Sequence, residues 1–380
     1  LGQDIFVKSL FITVTLIFLL LFGAIILADA AVLQPEMIKV ALHKGVESVK
    51  IDGNGLLATD GEGDPLRLGA PFQARRSKDG VAVNGKSVKS LIVTAPAFVL
   101  VNGKGYRGSV TITPADRGGL IVVNELPLED YLVGLINCEI SSQWPIEAVK
   151  AQAVIARSYA IYQREARGKA PFHLESSVMD QVYEGCDIED SRAARGVKET
   201  AGEVLTFGGN VIQAFYHSNC GGHTEAAENV WGATLPYLKG SDCNYCLAAN
   251  PYRWDQSIPL KKLESLLKVG GYQVAGLREI KGGSRNRSGR LNEVILSTSR
   301  GRVTVPAVKF RKAVGFGVIK STNFEVSVKG DSAIFSGIGN GHGVGLCQWG
   351  AKQRASDGFD YREILFNYYP GTKIERLYSD

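Results

Sequence analysis

The chain is 380 residues long, 45% hydrophobic and 21% charged, with a formal net charge of +5. Such values exclude a disordered polyelectrolyte and allow one large or two moderate domains with a sizeable core. Lys and Arg are dispersed rather than gathered into a basic arm, so nucleic acid is not an expected partner, whereas a mild cationic excess suits an anionic cell wall.

After Lys8, Leu10 through Ala28 carry no charge, and Ala28-Asp29-Ala30 follows. A basic flank, an apolar stretch and an A-x-A sequence predict a secretory signal peptide over residues 1–30. The stretch is also long enough to remain as a membrane anchor. Either outcome exports the remainder, so the working part is expected to be periplasmic or otherwise extracytoplasmic, meeting the membrane only through this segment.

Residues 31–133 read as β-rich. MIKVAL, SVKI, LIVTA, SVTITP and LIVVNEL are short β-branched runs divided by turn formers such as Asp52-Gly53-Asn54-Gly55 and Asn102-Gly103. A helix is predicted over 145–167, opening at Pro145 and stopping at Gly168, with Ile146, Val149, Ala153, Ala156 and Ala160 at helical spacing. Strands EVLTF and VIQAFY follow near 203–216. A short helix, PLKKLESLLKVGG, precedes a second β-rich stretch, and the C-terminus reads as a Gly-rich loop leading into helices. The fold class expected is α+β. A β-rich N-terminal region (31–108) precedes a mixed α/β catalytic region (109–374), in which an α/β segment at about 250–335 is embedded.

Glu139 is the one acidic residue between Gly134 and Pro145. Apolar neighbours (Ile136, Ile140, Trp144) would raise its pKa by desolvation and favour the protonated form that a general acid needs. The alternative is a helix-flanking glutamate satisfied by N–H groups or paired with Lys150. Lys150 and Arg157 lie two helical turns apart on one face, which reads equally as the solvated side of an amphipathic helix.

Six cysteines are too few for disulfides to be the main source of stability. Cys220, His223, Cys243 and Cys246 offer three thiolates and an imidazole, a set suited to a structural zinc ion with no open position for water, and His217 is an alternative fourth ligand. A disulfide between Cys220 and one of the C-x-x-C pair competes with that reading. Cys138, Cys186 and Cys347 have no evident partners and are expected as buried thiols.

The segment GNGHGVGLCQWGA (339–351) surrounds His342 with glycines that permit close backbone approach, placing His342 and Gln348 at the lip of a cleft; a tight turn with a packed histidine is the plainer reading. It lacks the Gly-Lys-Ser/Thr ending of a phosphate loop. In MDQVYEG (179–185), Tyr183 is suited to stack on a sugar or to fill a core.

Four stretches, in order, resemble the stage II sporulation protein D/LytB (amidase-enhancer) family. They are RGSVTITPADRGGLIVVNELPLEDYLVGLINCEISSQWPIEAVKAQAVIARSYA, DQVYEG, FYHSNCGGHTE and GNGHGVGLCQWGAKQRASDGFDYREILFNYYPGT. The resemblance spans about residues 36–374. It implies a peptidoglycan lytic transglycosylase that cleaves between N-acetylmuramic acid and N-acetylglucosamine, leaves a 1,6-anhydro end and prefers glycan stripped of stem peptides. Such chemistry needs one carboxylate where most glycoside hydrolases use two. By resemblance Glu139 is that acid and then base, Lys150 and Arg157 match cationic positions, and His217 and His342 fall in cleft motifs. Tyr183, Tyr216, Ser218 and Gln348 are then expected to contact glycan. The family also contains zinc-bearing members. The alternative it implies is a non-catalytic wall-binding protein that stimulates an N-acetylmuramoyl-L-alanine amidase. Two departures place thiols near the expected cleft: Asn137-Cys138 stands where Pro-Ser or Pro-Ala is common, and Leu346-Cys347 where Met-Ser is common.

Overall fold

The computed structural model describes residues 35–247 and 252–378, so the segment expected as signal peptide or anchor lies outside the described residues. Among the described residues no helix is long and apolar enough to cross a membrane. The described residues from Met37 onward form one compact unit, of α+β architecture.

The β-branched runs build two sheets of seven and six strands. In the larger, strand Met37–Val46 pairs antiparallel with Leu120–Pro127, which also pairs with Ser109–Pro114. Alternation sets the inner face: Val110 and Ile112 are buried, while Thr111 between them is half-buried. The boundary expected at 108/109 falls inside this sheet, because Ser109–Pro114 also pairs with Leu91–Thr94. The N-terminal strands and the first two helices accordingly share one apolar core.

Helix α1 (Leu128–Glu139) was not anticipated by the β-rich reading. Its sequence carries the signal nonetheless: Leu128, Tyr131, Leu132, Leu135 and Ile136 recur at i, i+3, i+4, i+7 and i+8, and all are buried. Glu139 is therefore the last residue of one helix and stands shortly before the next. Helix α2 (Ile146–Arg167) starts just after Pro145 and ends at Gly168, as its sequence predicts. It is the central element, buried nearly all round. Ala153, Ala156 and Ala160 face the β-sheet core, while Ala151, Val154 and Ile155 face a second core. Small side chains on both faces let neighbours approach closely on either side.

Helix α3 (Ser191–Glu199) is capped by Asp190, whose carboxylate accepts from the Arg192 and Ala193 amides. The short helix α4 (Ala227–Trp231) ends at Gly232. The embedded segment is closed by strands Arg253–Pro259 and Ser332–Ile338, which pair antiparallel. It contains α5 (Leu260–Val269) and α6 (Ala307–Val314), packed around a third apolar cluster that includes Leu267, Val294, Phe310 and Phe335. Helices α7 (Gln348–Ser356) and α8 (Tyr361–Tyr368) complete the second core, and Lys373–Arg376 returns to pair with Glu203–Phe207.

Candidate active site and thiol cluster

The distant motifs meet through one short parallel pairing: Tyr216 opposite Leu346 and His217 opposite Cys347. Gly341 makes the approach possible, since at φ 114° a Cβ there would lie 2.6 Å from the Cβ of His217. The Tyr369 hydroxyl ties the two chains together, donating to Phe215 O and accepting from the Leu346 amide at 3.2 Å.

In front of this pairing lies a cavity of about 600 Å³, with Glu139, Tyr216, His217, Ser218, His342 and Gln348 among its lining residues. Six of the expected site residues are thus brought together. Glu139 accepts a hydrogen bond from the Val182 amide at 3.2 Å and further ones from Tyr216 and Gln348. Burial dominates over these three donors and pushes its pKa up to about 7. Its donors are themselves held: Gln181 donates to the Tyr216 hydroxyl at 3.2 Å and accepts from Tyr131, while Gln348 donates to Gln152 at 3.3 Å.

A second carboxylate, Asp180, lines the cavity but is committed elsewhere. Arg167 pairs with it at 2.9 Å, the Tyr159 hydroxyl donates to it at 3.0 Å and the Glu175 amide at 2.9 Å. Glu139 is the carboxyl of the cavity that carries no ion pair among the described residues.

Both histidines are neutral, their pKa values lowered chiefly by burial, that of His342 to about 3 with the Arg311 charge adding to the effect. Their neighbours assign the tautomers. His342 Nδ1 accepts from the Val344 amide at 3.1 Å, so its proton sits on Nε2. His217 Nδ1 lies 3.1 Å from Val344 O and must donate to it, leaving Nε2 an acceptor; that atom is buried without a partner among the described residues.

Apolar and aromatic groups also line the cavity: Val178 and Met179, and Trp231 stacked on Phe215 at 4.2 Å. Sequence reasoning missed these, together with Tyr159, Asp180, Arg311 and Phe316. Met179 and Asp180 stand in the MDQVYEG stretch already singled out, but Arg311 and Phe316 arrive from the embedded segment and had no local signal.

Three expected site residues are reassigned. Lys150 pairs with Glu147 at 2.8 Å and Glu199 at 2.7 Å, away from the cavity lining. Arg157 is fully buried, bidentate to Glu129 at 2.7 Å and bonded to Glu203 O at 3.0 Å. Tyr183 is a core residue, its ring against Tyr131 and Tyr106 and its hydroxyl on Asn124. In each case the fold brings in partners that engage the side chain, which spacing along the sequence cannot reveal. Arg157→Met is expected to destabilise the fold by about 3–5 kcal/mol, because Glu129 loses its counter-charge. Urea unfolding measures this, and turnover per folded molecule should stay within about twofold.

The thiol cluster also differs from its expected composition. Cys220, Cys243, Cys246 and Cys347 are all buried, with sulfur atoms within 4.8 Å of one another. His223 is not among them: its Nδ1 is engaged at Thr224 O and its Nε2 lies 3.8 Å from Asp242. Cys347, expected as an isolated buried thiol, takes its place, because the Tyr216–His217/Leu346–Cys347 pairing carries Cys347 to the knuckle. Cys138 and Cys186 are half-buried rather than buried. A tetrahedral zinc site with Zn–S bonds of about 2.3 Å has sulfurs about 3.8 Å apart, so the four thiols suit that ion. Two backbone amides, of Cys220 and Gly350, point at Cys347 Sγ at 3.3 and 3.4 Å, contacts that a metal-bound thiolate at a helix start would accept. The fully buried Arg290 adds a cation beside the cluster, bonded to Cys220 O at 2.6 Å and His223 O at 2.9 Å.

Residues 116–207 match the family described as Stage II sporulation protein, and residues 227–345 match a domain of unknown function (DUF8618). An uncharacterized protein of Brachyspira hyodysenteriae is 36% identical over 282 residues, covering 74% of this chain and 75% of its own. The amidase enhancer of Bacillus subtilis is 31% identical over 290 residues, 64% of this chain but only 40% of that longer protein. Stage II sporulation protein D of Bacillus subtilis is 28% identical over 327 residues, 82% of this chain and 91% of its own. With the ordered motifs gathered at one cavity, the chain belongs to the stage II sporulation protein D/LytB family.

Proposed function

We propose that this protein is a lytic transglycosylase of peptidoglycan, acting outside the cytoplasm on glycan strands freed of stem peptides. The observation that carries the reading is Glu139: a carboxyl with pKa raised to about 7, at a cavity whose other carboxylate is neutralised by Arg167. An inverting hydrolase needs a second free carboxylate to activate water, and a retaining one needs it as nucleophile. Here one group serves twice. Protonated Glu139 gives its proton to the glycosidic oxygen as the C1–O bond breaks, releasing the N-acetylglucosamine-side hydroxyl. The carboxylate then takes the proton of the muramic acid 6-hydroxyl as O6 bonds to C1. The result is a 1,6-anhydro end with no water consumed and Glu139 protonated again. The Phe215–Trp231 stack offers an aromatic face to the sugar ring.

In the same reading Cys220, Cys243, Cys246 and Cys347 hold a structural zinc ion. With four protein ligands it braces the wall that carries His217 and Gln348 and takes no part in bond making.

Incubation with amidase-treated glycan should yield anhydro-ended fragments by mass spectrometry. Reducing ends, heavier by one water, would identify a hydrolase and overturn the assignment. The second reading, a wall-binding protein that stimulates an amidase, is favoured by the name of one relative and by the aromatic lining. Tight glycan binding without any cleavage product would select it.

A further inference from the structure

The embedded segment contributes a cation to the cavity that the cleavage chemistry leaves unused. Arg311, on α6, is among the lining residues. One edge of its guanidinium is fixed: Nε donates to Ile319 O at 2.8 Å, and the group lies over the Phe316 ring at 4.6 Å. Its two Nη groups have no acceptor among the described residues. Burial and the nearby Arg290 charge lower its pKa to about 10, which leaves it a cation at neutral pH. The other titratable groups at the cavity do not balance it. Asp180 is paired with Arg167, His217 and His342 are neutral, and Glu139 holds its proton below about pH 7. A partly desolvated guanidinium with a free bidentate edge is built for a carboxylate or phosphate supplied by the ligand.

Peptidoglycan supplies one such group beside the scissile bond. Muramic acid carries a lactyl ether whose carboxyl is an amide while a stem peptide is attached and a free carboxylate once the peptide is removed. We propose that Arg311 is a specificity-determining residue, binding the free lactyl carboxylate of a stem-peptide-free muramic acid in the cavity. The inference rests on peptidoglycan glycan as the substrate, but not on its cleavage. It gives the embedded segment a role: α6 reads whether the peptide has gone, while Glu139 is carried by α1 of the sheet core.

The test is a binding measurement in the non-cleaving Glu139→Gln background. Three ligands are compared by calorimetry: glycan with free lactyl carboxylates, the same glycan with those carboxyls converted to primary amides, and chitooligosaccharide of equal length. The free-carboxylate glycan should bind about tenfold to a hundredfold more tightly than the amide. Arg311→Met should abolish that ratio while leaving chitooligosaccharide affinity unchanged, and Arg311→Lys should restore part of it. Because Arg311 also holds Ile319 O, the carboxylate-to-amide ratio measured with Arg311 intact is decisive even if the methionine variant folds poorly. Equal affinities for carboxylate and amide, or a ratio that survives Arg311→Met, would overturn the proposal. Anhydro products without any such ratio would leave the transglycosylase reading standing and remove only the role of Arg311. The ratio without products would do the reverse.

Discussion

Glu139→Gln is expected to lower kcat on stem-peptide-free glycan by about 10,000-fold while changing KM little. Gln keeps the shape and can still accept from the Val182 amide, but it has no proton to give and no basic oxygen to receive one. Loss of a single acid–base group costs about a hundredfold to ten-thousandfold, and here one residue performs both transfers, which places the effect at the upper end. Product formation measured by mass spectrometry checks the value; a residual rate within tenfold of the unmodified protein would remove Glu139 from the mechanism.

The same residue sets the pH dependence. Burial favours the protonated carboxyl, so its pKa rises from 4.5 to about 7. The general acid is therefore present below about pH 7, and kcat/KM should fall as pH rises through that value. Stability follows the same sign. A carboxyl whose pKa is raised on folding costs nothing below pH 4.5, where both states are protonated, and the native state loses stability between pH 4.5 and 7. Glu139→Gln should thus leave thermal stability unchanged at pH 4, and at pH 8 raise it by up to about 3 kcal/mol. A variant equally stabilised at both pH values would show that burial of the charge is not the cause.

Cys347→Ser should have the second largest effect. If the four thiols hold zinc, metal analysis of protein purified without chelator will find one ion per chain, and the serine variant will lose it. The expected destabilisation is on the order of 5 kcal/mol, since the binding free energy of a structural zinc ion is folding free energy. Activity should fall along with the metal, because Cys347 is paired with His217 and precedes Gln348. His223→Ala is the control, and should keep the ion. Retention of zinc by Cys347→Ser together with its loss from His223→Ala would reinstate the spacing-based ligand set. Intact disulfides by mass and no metal would discard zinc altogether.

The histidine at 223 shows where reading along the chain stops being informative. It stands three residues after Cys220, a spacing proper to a zinc ligand, and yet its ring turns to Thr224 and Asp242. Cys347 is 101 residues beyond Cys246 and becomes adjacent only through a two-residue parallel pairing. Arg157 and Lys150 illustrate the converse. Two cations on one helix face resemble a substrate clamp until Glu129, Glu147 and Glu199 are seen to occupy them.

Local chemistry was enough to determine the central helix and its two ends, the β-rich start, the α+β class and Glu139 as the residue of interest. These depend on short-range causes: a proline before the first turn, a glycine after the last, β-branched alternation, and one carboxyl in an apolar stretch. The family was legible for a related reason, since ordered motifs retain their identity whatever lies between them. Only the tertiary structure decided which carboxylate is free, which nitrogen of each histidine carries the proton and which fourth sulfur completes the cluster. It also brought Arg311 from the embedded segment to the lining of the same cavity. Those properties depend on desolvation and on partners from distant parts of the chain, and neither is encoded in the spacing of neighbouring residues.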